Sequence, residues 1–598
     1  MIQNQTRVSV PASEVFPNLN GDIPTLRTIL SSLSLTDTIF WCARLNNVIA
    51  NSSNDSHQVR QVFGLQQFFS TEDINRINHF TRMHDGPENV QIFFRGQILE
   101  LLRWIALFCD DDTNDGSTFE HPEIRRKFGQ CLLIAGEIFG KRIYGKNFFL
   151  DANNDVARKR ALGPIRKGIE GAMIASDLSR TLGRSAMIWK DYFPKYYRSL
   201  FEDFFTITEI SVEDYLRCIT SFIVHYLDPK VSTGIFDVKT FADGTKNKIA
   251  FMKYVKLESQ DIVALKNGLW GKLSTAQYRD GFGQQIPPYD YQPLRNKPIV
   301  RATDGRAVIL DPIFYSEKPF VGPLFLLVQN LPAKSNEIFG AFGRAFEDYA
   351  CNILKRMFPQ DIGALDNKLY RNMQIINDQK SKIEIDACVN SSSGIILFEM
   401  KAVWIKEETI LADDSNDFFE HLRERYCAIK NLSKSTRNKG ISQLVGAVET
   451  ISTQEFAEKH PEFNISRVVY PVLVVYDALL DAPVFGHFLA SEFKTLLAPE
   501  SESKSGYMKK GKLTIAPLIV MTIEQLENLE VSIKNFDLQD FLAEYSQSCP
   551  DRSVPLHNFI SSSKYSTQMI HNSRIIDKAL EILLDTQEQM FEGKKDSL

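Results

Sequence analysis

Residues 382–403 read K-I-E-I-D-A-C-V-N-S-S-S-G-I-I-L-F-E-M-K-A-V. Two alternating apolar runs flank Asn390-Ser391-Ser392-Ser393-Gly394, a turn-forming cluster, so the stretch predicts a β-hairpin. Side chains alternate faces along a strand. In the first strand Ile383, Ile385, Ala387 and Val389 share one face and Glu384, Asp386 and Cys388 the other. In the second, Leu397, Glu399 and Lys401 lie opposite Ile396, Phe398, Met400 and Ala402. A turn centred on Ser392 or Ser393 sets Asp386 across from Glu399. Two carboxylates and an ammonium then stand together on an apolar sheet. Paired carboxylates repel, and each raises the other's pKa. A hard divalent cation such as Mg²⁺ relieves the conflict, using one or two carboxylates and keeping several waters. A half-buried hairpin with a solvated polar face is the simpler reading of the same residues taken alone.

Upstream, residues 336–359 carry Phe339, Phe342, Phe346, Tyr349, Ile353 and Met357 at helical spacing. At i−4, i+3, i+4 and i+7 Glu347 has small or apolar neighbours, namely Gly343, Ala350, Cys351 and Leu354. Arg344, Asp348, Asn352 and Lys355 mark the expected solvent face.

A helix with Glu347, then strands with Asp386 and with Glu399-Met400-Lys401, resembles the PD-(D/E)XK nuclease superfamily in residues 336–529. Ile385 stands where that pattern has its name-giving proline. The resemblance implies a restriction-endonuclease-like αβββαβ domain around a central mixed sheet. It implies metal-dependent hydrolysis of phosphodiester bonds, in DNA more often than RNA. Asp386 and Glu399 would hold Mg²⁺, with Mn²⁺ able to substitute, and Glu347 would complete the acidic cluster. Lys401 would orient or deprotonate the attacking water and stabilise phosphate charge. A glutamine at the start of the helix after the E-x-K strand lies near the active site in several branches, and Gln443 occupies that place.

The chain has 598 residues, 43% hydrophobic and 24% charged, which suits a multidomain globular protein. A formal net charge of −5 gives no global basic signature, so any nucleic-acid surface must be local. Eight scattered cysteines without C-x-x-C spacing suggest reduced thiols and a cytoplasmic setting. No apolar run approaches a membrane span, and residues 1–10 lack the features of a signal peptide.

The expected organisation is multidomain α/β. Residues 1–235 form a helical domain of unassigned role, 236–335 a β-rich connector, 336–530 the nuclease-like domain and 531–598 a helical tail. Ser70-Thr71-Glu72-Asp73 is a helix start. Asp304-Gly305 marks a hairpin between 297–303 and 306–310, and 319–328 is a further apolar run. Residues 467–477 read as a strand buried on both faces. Residues 514–521 read as a strand placed at an edge by Pro517. Residues 501–512 read as a polar loop whose Lys504, Lys509, Lys510 and Lys512 suit either a nucleic-acid contact or a solvated surface.

Acid-rich residues 110–116 lack the closing glutamate of a calcium loop and read as an interhelical connection. Residues 158–167 carry five basic side chains and no acid, suiting either a phosphate contact or a solvated helix end. Lys434, Arg437 and Lys439 belong to a basic segment that adjoins the hairpin's proposed site and suits nucleic acid. The helical regions suit a homo-oligomer or a partner protein. A large helical region fused to such a nuclease is expected in a bacterial anti-phage or restriction-type effector. The alternatives are a DNA-repair nuclease and, in a different class, a catalytically silent scaffold that binds nucleic acid or protein.

Overall fold

The computed structural model describes residues 8–50, 64–109, 121–144, 178–227, 235–270, 291–359, 368–376, 382–405, 415–430, 436–463, 467–569 and 573–591, apart from 85, 87–89, 439 and 553. Lys434, Lys439 and the segments 110–116 and 158–167 lie outside the described residues. The chain is mixed α/β and divides into two compact units. One comprises Met1–Leu182, Phe201–Leu326 and Ala579–Leu598, the other Gly183–Leu200 and Leu327–Lys578.

The first unit is mainly helical. The Ser70 helix start is a reciprocal cap, Ser70 and Asp73 each bonding the other's backbone N–H. At its centre the helix Arg95–Phe108 is buried from Arg95 to Ala106, charges included. Those charges are paired, as burial demands. The Arg95 guanidinium donates to both oxygens of Asp311, at 2.7 and 3.1 Å. Glu100 accepts from the Trp104 indole at 2.8 Å and pairs with Arg103.

Residues 236–335 carry helices as well as strands, so the β-rich expectation is corrected. Four short strands form one sheet in the order Ile235–Asp237, Arg306–Ile309, Ile299–Arg301, Ser259–Asp261. The hairpin at Asp304-Gly305 is present, and Gly305 takes φ +91° there. The apolar run 319–328 lies in the helix Pro312–Asn330. Phe320, Leu324 and Leu327 are buried at helical spacing, so burial of one face overrides the two internal prolines.

The second unit is built on a mixed sheet. Helix α1 (Ser335–Met357) precedes strands β1 (Lys368–Ile376), β2 (Lys382–Asn390) and β3 (Gly394–Lys401). Helices α2 (Ser415–Tyr426) and α3 (Ile441–Ile451) lead to β4 (Val468–Val475). After α4 (Pro483–Leu497) come β5 (Ser501–Glu502), β6 (Met508–Lys510), β7 (Leu513–Ile515), β8 (Ile519–Thr522) and α5 (Ile523–Ser532). The sheet order is β5-β6-β7-β4-β3-β2-β1, with β8 also on β4. Strands β1, β2 and β3 are an antiparallel meander, whereas β3, β7 and β8 run parallel to β4.

Three details differ from expectation. Residues 501–512 are not simply a loop, because β5 and β6 extend the sheet from β7. Residues 514–521 form two strands rather than one. Proline has no N–H for the ladder, and the chain breaks at 516–518. The Arg552 guanidinium bonds the Pro517 and Leu518 carbonyls, at 2.6 and 2.8 Å, which satisfies groups the ladder leaves out. Finally, residues 417–430, whose polar sequence reads as one helical stretch, are helical only to Tyr426, and Ala428–Lys430 pairs with Thr436–Asn438 instead.

Helix α1 buries Phe342, Phe346, Tyr349, Ile353 and Met357, while Phe339 is exposed near its start. Phe342 lies against Trp189, Phe193 and Trp404, and Phe346 against Tyr476. The Tyr349 hydroxyl donates to Glu527 on α5, whose carboxylate also accepts from Nε and Nη2 of a buried Arg184 at 2.6 and 2.7 Å. This buried triad ties α1 to α5 and to Arg184.

Candidate active site

The hairpin register brings Asp386 and Glu399 together. Its ladder pairs Asn390 with Ile395, Cys388 with Leu397 and Ala387 with Phe398, so the next opposed residues are Asp386 and Glu399. The ladder ends there. The Asp386 carboxylate accepts the Met400 backbone N–H at 2.7 Å, and its own carbonyl faces the Cys351 thiol on α1 at 3.6 Å. On the other side, β1–β2 pairing continues around Asn372 and Asp386 without joining them, and Asn372 takes φ 48°. Asparagine tolerates that left-handed conformation better than most residues. Strand β2 thus leaves β3 at Asp386, while β3 stays paired with β4 through Lys401. The result is a fork in the sheet with Glu399 and Lys401 on one arm.

Helix α3 begins at this fork. Gly440 caps it at φ +47°, and a β-carbon there would come within 2.5 Å of the Tyr426 carbonyl, so only glycine fits. Gln443, in its first turn, accepts the Gly440 N–H at 2.9 Å and donates to the Glu384 carbonyl at 3.2 Å. It ties the helix start to β2 two residues before Asp386. Arg437 lies on Thr436–Asn438, the strand that leads into this turn.

Glu399 is 0% exposed, and neither of its carboxylate oxygens accepts a well-aligned hydrogen bond. Lys401 Nζ stands 2.5 Å from Oε1 as an ion pair. Burial, with the Asp386 and Glu347 charges, pushes the Glu399 carboxyl far up despite Lys401. Burial also raises Asp386, against the lowering effects of Lys401 and the Met400 N–H. Glu347 is half-buried, and burial followed by the Asp386 charge pushes it up to about 7. Burial alone would lower Lys401, but Glu399, Asp386 and Glu347 outweigh it and hold the ammonium protonated. Glu347, on α1, thus feels the charges of Asp386 and Lys401.

Among the described residues no three His, Cys, Asp or Glu side chains converge closely enough to hold a metal ion as they stand. Lys401 lies among the carboxylates and partly neutralises them. The donor set nevertheless fits a hard divalent cation. Three carboxylates accompany one ammonium, Glu347 and Glu399 are pushed toward protonation first by burial and then by the Asp386 charge, and neither oxygen of buried Glu399 accepts a well-aligned hydrogen bond.

Sequence reading did not identify the Met400 N–H, the Cys351 contact or the left-handed Asn372. A backbone donor has no residue signature, and the fork depends on three strands at once. Comparison with protein-family models, with curated proteins and with solved structures gives no match. No helix among the described residues is long and apolar enough to cross a membrane.

Proposed function

We propose that residues 336–529 form a PD-(D/E)XK-type nuclease domain that hydrolyses phosphodiester bonds, with DNA as its substrate. The observation that carries this reading is the fork at Asp386, which sets Asp386, Glu399 and Lys401 at one point of the sheet beside Glu347 on α1. The order of α1, the β1–β2–β3 meander, α3 and a parallel β4 supports it.

In this reading Asp386, Glu399 and Glu347 hold Mg²⁺ or Mn²⁺, which supplies positive charge to the phosphate and acidity to water. The chain's own residues do the rest. Asp386 is aimed by the Met400 N–H, so its second oxygen is presented from a fixed strand position. Lys401, held protonated, turns from Glu399 toward the phosphate and stabilises the charge that develops there. Glu347, pushed up to about 7 without metal, would give up its proton on joining the ligand set, so metal binding is expected to strengthen as pH rises through neutrality. Gln443 holds β2 to the start of α3 and so keeps the fork open.

A role in bacterial defence, with the helical unit as sensor or regulator, is proposed by analogy with other large effectors. A silent binding scaffold is the competing reading, favoured by the Lys401–Glu399 pair, which already neutralises one buried acid. Incubation with Mg²⁺ or Mn²⁺ on linear, circular and single-stranded DNA, and on RNA, separates the two. Metal-dependent cleavage supports the nuclease, and intact polymer under all conditions supports the scaffold.

A further inference from the structure

The carboxylate centre is acidic, and a polyanion would be repelled from it unless cations flank it. Three basic residues from separate parts of the chain meet beside Glu347. Arg344 lies one turn before Glu347 on α1, is exposed, and places its guanidinium 5.5 Å from the centre of the Tyr196 ring. Lys195, next to that tyrosine, stands 3.5 Å from Asp348 and 4.5 Å from the centre of the Tyr192 ring. Arg371 on β1, one residue before the left-handed Asn372, donates to Asp348 at 2.9 Å. All of these residues belong to the second unit.

From this arrangement we infer that Lys195, Arg344 and Arg371 form a cationic strip that holds the phosphate backbone of a nucleic-acid strand alongside the carboxylate centre, with Arg344 as its main anion contact. The inference rests on the nuclease reading for the choice of polymer. Asp348 neutralises one of the three cations and positions two of them, so the strip keeps a net charge of about +2. Arg344 has no carboxylate ion-pair partner within 4 Å among the described residues, so its donors face solvent. The Tyr196 ring holds its guanidinium plane, which lowers the entropy lost when a phosphate binds. Burial, together with the Asp348 and Glu347 charges, raises the Tyr196 hydroxyl, in keeping with a position beside both acids. A scan for runs of basic residues does not find such a strip, because positions 195, 344 and 371 are far apart in sequence.

The test is binding of the full chain to short labelled duplex and single-stranded DNA in EDTA, read by fluorescence anisotropy across a salt series. Arg344→Glu should weaken binding roughly tenfold at low salt and reduce the salt slope by about 1, and Lys195→Glu should act in the same direction. Lys534→Glu, a charge reversal at another exposed site of the same unit, serves as control. Unchanged affinity and slope in Arg344→Glu overturn the inference. So does equal weakening by Lys534→Glu, or no binding of either DNA by the wild type at low salt. Because EDTA prevents metal-dependent cleavage, Arg344-dependent binding by a protein that never cuts would overturn the nuclease reading alone.

Discussion

The Asp386 carboxylate accepts the backbone N–H of Met400, 14 residues on, at 2.7 Å. That bond replaces a ladder contact between β2 and β3 and turns a hairpin into a fork. One aspartate thus shapes the site and supplies a candidate ligand to it. The two roles separate in Asp386→Asn, whose side-chain carbonyl still accepts from Met400 but lacks the negative charge.

The acidic cluster destabilises the metal-free protein at neutral pH. Glu347 moves from 4.5 to about 7 on folding, so the folded chain binds more protons than the unfolded chain in that window. Stability therefore falls as pH rises from about 4.5 to 7, by an amount on the order of 2 kcal/mol, reduced by sharing with Asp386 and by partial exposure. Thermal melts in EDTA across this range check the slope, and Glu347→Gln should flatten it. A slope that is unchanged in the variant separates Glu347 from the cluster.

Divalent metal should reverse that strain. Mg²⁺ at about a hundred times its Kd adds about 2.7 kcal/mol to a protein that binds it only when folded. Differential scanning calorimetry should show a higher Tm with Mg²⁺ and a return on adding EDTA. In Glu399→Gln the rise should vanish, while the metal-free Tm changes little, because the neutral amide relieves a buried carboxylate but takes from Lys401 its ion-pair partner. A full Mg²⁺-dependent rise in that variant would remove Glu399 from the ligand set.

Gln443→Ala deletes the bonds to Gly440 and Glu384 together. A loss of about 1–2 kcal/mol is expected. The cleavage rate should fall further than the loss of folded protein explains, since the fork loses its tie to α3. A rate that tracks the folded fraction alone makes Gln443 a helix cap and nothing more.

Glu527→Ala should destabilise by about 3–5 kcal/mol, because it leaves Arg184 buried and unpaired. Urea melts measure this directly. A change below about 1 kcal/mol would mean that α1 is held by its aromatic contacts rather than by the triad.

Much of the site is written locally. Alternation in 382–403 locates both strands, and the serine cluster sets a register that opposes Asp386 to Glu399. Helical spacing in α1 sets Glu347 among small and apolar neighbours, and Ala350, Cys351 and Leu354 are buried while Glu347 itself is half-buried. What is illegible depends on distant partners. Apolar residues 319–328 suit a strand or a buried helix equally until tertiary packing decides. The polar residues 501–512 give no sign that backbone pairing to β7 will recruit them to the sheet. Residues 183–200 carry aromatic side chains that pack on α1 from far away in sequence, and with them the Lys195–Tyr196 part of the cationic strip.

The central claim is that Asp386, Glu399 and Lys401 form a metal-dependent phosphodiesterase centre. It is tested most directly by the single-turnover rate of DNA cleavage in Mg²⁺ or Mn²⁺, measured side by side for wild type, Asp386→Asn and Lys401→Ala at matched folded concentrations. The account predicts cleavage by wild type that EDTA abolishes, and a loss of roughly a hundredfold or more in each variant with little change in Tm. Wild-type rates in both folded variants, or a wild type that cuts equally well in EDTA, would contradict it.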